Sequence, residues 1–309
     1  MVTCEHAGLH KKLAFQDKIT FDHFIMRCSF SGYYGEGISL THSSVERIMN
    51  HLQCMLNSSH LYTEGCQSCP SAYEHLENIT TDAFYQVNYS VYPSNCNCKC
   101  VYCYYRYIKN DDNSVIADLY YKLLEVTKEM KSRGMINENT YVQMSSGEFT
   151  IHQHRNILAE ILENYASNRI SIFTSAIKFD NHVAELVSNG ASINCSLDAS
   201  DRNTYRRIKQ LDKFDAVCET IYRYNQIRFG SVEVKYIVIP GYNDSDADLI
   251  AFMELMQKLE IQHISFAGLV MRDSSELFKL GVTSDGSNET AIRFYETAKE
   301  HFNCGLGLV

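Results

Sequence analysis

The chain has 309 residues, 45% hydrophobic and 21% charged, the balance of an ordinary soluble globular protein with a substantial core. A formal net charge of −9, with no block of Lys and Arg, excludes a binder of nucleic-acid backbones, which needs a concentrated basic face. The opening residues hold no apolar run fit for a signal peptide and no later stretch could span a bilayer, so the expected setting is the cytoplasm, with no membrane partner.

Residues 1–83 read as a mainly helical N-terminal extension. Ser43 and Glu46 have the spacing of a capping box ahead of Val45, Ile48, Met49, Leu52 and Leu56, which share one helical face. The same region carries Cys28, Cys54, Cys66 and Cys69. From residue 84 strand-like and helix-like segments alternate. The first strand is expected at Tyr85 to Tyr92 and is followed by a helix at Val115 to Gly134. A strand at Thr140 to Ser146, a helix at His154 to Ser167 and a strand at Ile170 to Ala176 come next. After a helix from Asn181, a strand is expected at Ser192 to Asp198, then a helical region from Asp201 to Asn225 broken near Leu211. The pattern closes with a strand at Val232 to Ile239, a helix from Asp246, a strand at His263 to Val270 and a helix from Glu289. Six βα units imply an α/β fold with a parallel sheet, too few for a closed eightfold barrel and right for a partial (β/α)6 TIM-like barrel over residues 84–309. Ligands in such sheets gather at the C-terminal ends of the strands.

One run stands at such an end. "NCNCKCVYCYY", Asn95 to Tyr105, places four of the chain's twelve cysteines within eight positions. In a reducing compartment clustered cysteines are metal ligands before they are disulfides. Two readings compete. All four thiolates could enclose a tetrahedral zinc in a non-catalytic module. Alternatively Cys96, Cys100 and Cys103, spaced C-x3-C-x2-C, hold three irons of a [4Fe–4S] cluster and leave the fourth iron open for chemistry.

With aromatic Tyr102 before its last cysteine, the second pattern resembles the radical S-adenosylmethionine (radical SAM) superfamily. The resemblance implies that S-adenosylmethionine chelates the open iron and that an electron from the cluster splits it, giving a 5′-deoxyadenosyl radical that removes a substrate hydrogen atom. It implies an oxidoreductase, isomerase or transferase working anaerobically with a one-electron donor such as flavodoxin or ferredoxin. "SSGEF" is similar to the family's turn after the second strand, which implies cofactor contacts at Ser146, Gly147 and Glu148, the last to the methionine ammonium. "CSLDASDRNTYRRIK" resembles the fourth strand and following helix, implying ribose or carboxylate contacts at Ser196 and Asp198 and a basic partner at Lys209, with Arg206 and Arg207 adjacent. Thr174 and Ile239 carry over from the third and fifth strand ends, the latter at the adenine edge.

Cys98 is then one cysteine too many. Either it turns away as a bystander or it helps Cys28, Cys66 and Cys69 hold an auxiliary Fe–S cluster, for which Cys54 or a non-protein group is the other candidate ligand. For the substrate, modification of a peptide and of a carbohydrate (epimerisation or dehydrogenation) both stand, with a lean to the peptide by analogy. Lys235, Tyr236, His263 and Ser265 are candidate substrate contacts on the fifth and sixth strands.

Overall fold

The structure is a computed structural model that describes residues 3–4, 12–15, 23–26, 38–40, 42–57, 72–73, 82–90, 96–103, 113–145, 147–269, 286–302 and 304–308. The chain divides into two compact units. The first comprises Met1–Tyr92, Asn110–Ser146 and Gln153–Ser171, and the second Pro93–Lys109, Gly147–His152 and Ile172–Val309.

The first unit opens with short strands, β1 (Thr3–Cys4), β2 (Lys12–Phe15), β3 (His23–Met26) and β4 (Ile38–Ser39), before helix α1 (Val45–Asn57) and strand β5 (Ala72–Tyr73). Among the described residues of 1–83 are the 13-residue α1 and five strands of two to four residues each. Runs of four residues are too short to show a period of two by themselves. They become strands by pairing, β2 with β3 antiparallel and with β6 (Gln86–Ser90) parallel. Beyond β6 come α2 (Asn113–Ser132), β7 (Tyr141–Ser145), paired parallel with β6, and α3 (Arg155–Leu162). The α1 face is the expected one, with Ile48, Met49, Leu52 and Leu56 fully buried. Its cap is one residue later than expected: the Arg47 amide donates to Ser44 Oγ, and Glu46 turns instead to the Arg133 guanidinium.

The second unit carries the regular part of the fold. Its elements are the last three residues of β8 (Ile170–Thr174), α4 (Asn181–Ser188), β9 (Ser192–Ser196), α5 (Arg202–Lys209), α6 (Phe214–Ile227), β10 (Val232–Val238), α7 (Asp246–Lys258), β11 (His263–Gly268), α8 (Ser287–His301) and β12 (Gly305–Leu308). Strands β9, β10, β11 and β12 pair in parallel in that order. Asp180, Asp201 and Ser245 cap α4, α5 and α7 through their side chains, the last as a full capping box with Asp248. The expected break in the 201–225 helical region falls at Gln210, which is left-handed at φ 55°.

Alternation along β10 decides which chemistry faces where. Val234, Tyr236 and Val238 are buried, and Tyr236 packs at 4.5 Å from the ring of Phe252 on α7 and within 6.1 Å of Phe294 on α8. Tyr236 is therefore a core residue on the helix-packed side and no substrate contact. Glu233, Lys235 and Ile237 stand on the opposite face. β11 ends at Gly268, where α8 comes so close that a β-carbon would lie 2.9 Å from the Asn288 Cα. β12 has no counterpart among the expected strands. Its "GLGL" sequence is poor in strand formers, but Gly305 lets it approach β11, where a β-carbon would meet the Gln262 carbonyl at 3.2 Å.

Candidate functional site

The second unit holds the described part of the cysteine run, residues 96–103. Its backbone is pinned to the end of α5: the Lys99 amide donates to the Lys209 carbonyl at 3.1 Å and the Val101 amide to the Ile208 carbonyl at 2.9 Å. The Cys103 amide closes a turn onto the Cys100 carbonyl at 3.0 Å. Val101 drives the loop inward, joining Ile208, Ile239 and Leu269 in an apolar cluster against which Tyr102, Ile237 and Tyr242 pack. Ile239 is thus placed beneath the loop.

The thiols show what the fourth cysteine does. Cys98 hydrogen-bonds both Cys100 and Cys96, and as their donor it is itself pushed far up, with burial adding to the effect. Its bond lowers Cys100 to about 6, against the opposing effect of burial and with help from the Lys209 charge, and lowers Cys96 as well. Cys98 therefore shares the cradle of two cluster-ligand candidates rather than turning away from it. Thiolates are the ligating form, and both shifts are in that direction. Among the described residues no three His, Cys, Asp or Glu side chains converge on a site for a single ion. Zinc needs its ligands about 2.3 Å from one centre, whereas a cluster spreads its thiolates over separate irons. Three thiols in one short loop are the donor set that a cluster takes, one to each of three irons.

Above the loop lies a buried ionic knot. Asp198, fully buried and left-handed at φ 59°, accepts the Tyr102 hydroxyl at 2.6 Å and the Lys209 ammonium at 2.5 Å on Oδ2, and the Ile237 amide at 2.8 Å on Oδ1. A short polar side chain tolerates that backbone better than most. Lys209 Nζ donates also to the Tyr102 oxygen at 2.9 Å. Burial pushes the Tyr102 phenol well above its ordinary value, and the Asp198 charge adds to it, so it remains a donor. Both partners of the Asp198–Lys209 pair are committed to each other here. Lys209, the basic residue that the resemblance assigns to the cofactor's carboxylate, is paired here with Asp198.

Glu148 is the second buried carboxylate. Gly147 before it is left-handed at φ 57°, which explains a glycine at the turn. Its Oε1 accepts the Thr150 amide, the Thr150 hydroxyl and the Thr174 hydroxyl at 3.2, 2.6 and 2.7 Å, and its Oε2 the Ser175 amide and hydroxyl at 2.6 and 2.5 Å. The structure thus brings Thr174 to Glu148. Ser196, at the end of β9, is opposite Lys235 in the register.

Ser146, Cys28, Cys66 and Cys69 lie outside the described residues. Cys54 is exposed on α1. Sequence reasoning missed three contributors: Thr150, Ser175 and Asn243. The buried Asn243 side chain accepts the Ile239 amide at 2.7 Å and donates to the Asp198 and Ile237 carbonyls at 2.9 Å each, locking the β10 turn to the Asp198 backbone. Its signal was present in "PGYND", where an Asn follows a turn; Gly241 there is left-handed at φ 77°.

A sequence model of the Radical SAM superfamily matches residues 91–253. The chain belongs to the radical SAM superfamily. Radical SAM proteins use a [4Fe–4S] cluster and S-adenosylmethionine, and this chain is a radical SAM enzyme. Among curated relatives, the GTP 3',8-cyclase of Desulforamulus reducens is 25% identical over 181 residues, covering 57% of this chain and 52% of the relative. The chain thus spans about half the length of that relative. Among solved structures, Streptococcus suis SuiB bound to its precursor peptide SuiA aligns with a TM-score of 0.57 at 13% identity, over 100% of this chain and 73% of SuiB. A radical SAM methyltransferase from Sphaerobacter thermophilus aligns with a TM-score of 0.53 at 17% identity, over 71% of this chain and 64% of that one. These likenesses show the fold, an α/β partial barrel. No helix among the described residues is long and apolar enough to cross a membrane.

Proposed function

We propose that this radical SAM enzyme modifies a peptide, with Cys96, Cys100 and Cys103 as ligands of its cluster and S-adenosylmethionine bound against Tyr102, Gly147, Glu148, Thr174 and Ser196. When bound, these groups supply the hard chemistry, in which an electron from the cluster splits the sulfonium and the resulting 5′-deoxyadenosyl radical takes a hydrogen atom from the substrate. The chain's own residues hold and aim. Asp198, Lys209, Tyr102 and Asn243 fix the cysteine loop against α5 and β10. Glu148 has two rigid amide donors and three hydroxyl donors, more than a carboxylate's four lone-pair positions need. Glu148 could give up one of the rotatable hydroxyls to a cofactor ammonium while keeping both amides.

The observation that carries the peptide is the face of β9, β10 and β11 turned away from α7 and α8. On it Lys235 is the one Lys or Arg, beside Asn194, Ser196, Glu233 and Ser265. A single cation next to a carboxylate suits a peptide and is poorly matched to the several negative charges of a triphosphate. GTP is the second reading, favoured by the identity to the GTP 3',8-cyclases. Reduction of the reconstituted protein with S-adenosylmethionine is expected to release 5′-deoxyadenosine. Deuterium transferred into it from a labelled peptide supports this reading, and transfer from labelled GTP instead overturns it.

Cys98 has its own test. Cys98→Ala is expected to keep the catalytic cluster and 5′-deoxyadenosine release within about threefold of the native chain, because a thiolate on the open iron would block the cofactor. Loss of the cluster in this variant would reassign the ligand set. Iron counting on the native protein decides the auxiliary cluster proposed for Cys28, Cys66 and Cys69: about eight irons per chain supports it and about four removes it.

A further inference from the structure

The polar face of β9–β11 contains two groups with unmet demands. Lys235 is half-buried in the middle of β10, and its ammonium makes no hydrogen bond or ion pair with any described residue. Burial lowers its pKa, offset in part by the charges of Asp198 and Glu233. Asn194 is 8% exposed, and its Oδ1 is buried with no donor. Registers put the two together: Asn194 is opposite Glu233 and Ser196 opposite Lys235, so all four side chains share one face. Glu233 accepts the Ser265 hydroxyl of β11 on Oε1 at 2.5 Å and makes no ion pair with Lys235, so its charge acts on Lys235 from a distance and its second oxygen remains an acceptor. Along the strand Glu233 and Lys235 are about 7 Å apart, two residues on one face. Lys235 lies one such step before Ile237, whose amide holds Asp198, so this polar set sits one layer beneath the knot that clamps the cysteine loop.

A ligand that satisfies this set carries an anion for Lys235 and N–H donors for Glu233 and the Asn194 oxygen. A neutral sugar offers hydroxyl donors but no anion for Lys235, and a triphosphate brings more negative charge than one ammonium answers. A peptide segment with an acidic side chain offers both. We propose that Lys235, Glu233 and Asn194 recognise an acidic residue of the peptide substrate, its carboxylate on the Lys235 ammonium and its main-chain N–H groups on Glu233 and Asn194. This specificity rests on the peptide reading above. The set selects which residue is presented to the reacting end, so Lys235 is a specificity-determining residue of this enzyme.

The test uses the reconstituted holoenzyme with S-adenosylmethionine and three probes: acetyl-Gly-Asp-Gly-amide, the neutral acetyl-Gly-Asn-Gly-amide, and inorganic triphosphate. Affinities are read by saturation-transfer NMR titration. The aspartyl peptide is expected to bind at least fivefold more tightly than the asparaginyl one. Lys235→Met is expected to abolish that preference and Lys235→Arg to retain most of it, with thermal unfolding showing that both variants fold. Equal binding of the two peptides to the native enzyme, or a preference that survives Lys235→Met, overturns the proposal, as does triphosphate binding more tightly than the aspartyl peptide. Release of 5′-deoxyadenosine by the native enzyme is measured alongside. Its absence would refute the proposed function without altering the peptide preference, so the two readings fail separately.

Discussion

Replacing Lys209 with Met is expected to destabilise the second unit by about 3–5 kcal/mol, because it leaves the Asp198 carboxylate buried without its cation. Asp198 is 0% exposed and Lys209 3%, so water cannot stand in for the lost partner. At the usual scale for a unit of this size, the midpoint of thermal unfolding falls by roughly 10 °C or more. The damage reaches the cluster site directly, because the Lys209 and Ile208 carbonyls hold Lys99 and Val101, and Tyr102 loses one of its two polar contacts. The double variant Asp198→Asn with Lys209→Met is expected to recover most of the loss. Asparagine tolerates the left-handed backbone and still accepts the Ile237 amide, and removing both charges together leaves none buried alone. Calorimetry and iron content on the two variants check this. A single variant within about 1 kcal/mol of the native chain would show that the pair does not organise the loop.

The second large effect is expected at Glu148, and the informative variant is the isosteric one. Glu148→Ala leaves the buried Thr150 amide without an acceptor, at about 1–3 kcal/mol, and the half-buried Ser175 amide with it. Glu148→Gln keeps the shape but fails for a different reason. A backbone amide, which can only donate, faces each oxygen of the carboxylate, so whichever way the glutamine is turned its NH2 group meets an N–H. Both variants are expected to lower S-adenosylmethionine cleavage by about 100-fold or more, with weakened cofactor affinity read by equilibrium binding. Glutamine at native rate would mean that neither the charge nor the acceptor count at this turn matters.

Much of this site was legible before any coordinates. Cysteine spacing identified the three ligand candidates because an open-iron site demands three thiolates in one short loop, a requirement written in consecutive residues. The βα alternation from residue 84 announced the parallel fold for the same reason, since amphipathic periods are local. Asp180, Asp201 and Ser245 as helix caps belong to the same class of signal. The strands of residues 1–83 were not legible, because β2 is a strand only through its neighbours β3 and β6. β12 escaped for a related reason, its glycines being the cost of close approach to β11.

By itself the sequence determined the chemistry available: which thiols, which carboxylates, and their order at successive strand ends. Only the tertiary structure decided how each is used. It turned Tyr236 into the helix-packed core and left Lys235 facing the other way, an outcome of one-residue parity along β10. It closed Asp198 onto Lys209 across a separation of 11 residues and brought the Thr174 hydroxyl and the Ser175 amide and hydroxyl to Glu148 from another segment. These are contacts between groups distant in sequence, whose energies depend on burial and on the partner each group meets. Burial and pairing are properties of the packed chain, and no spacing rule contains them.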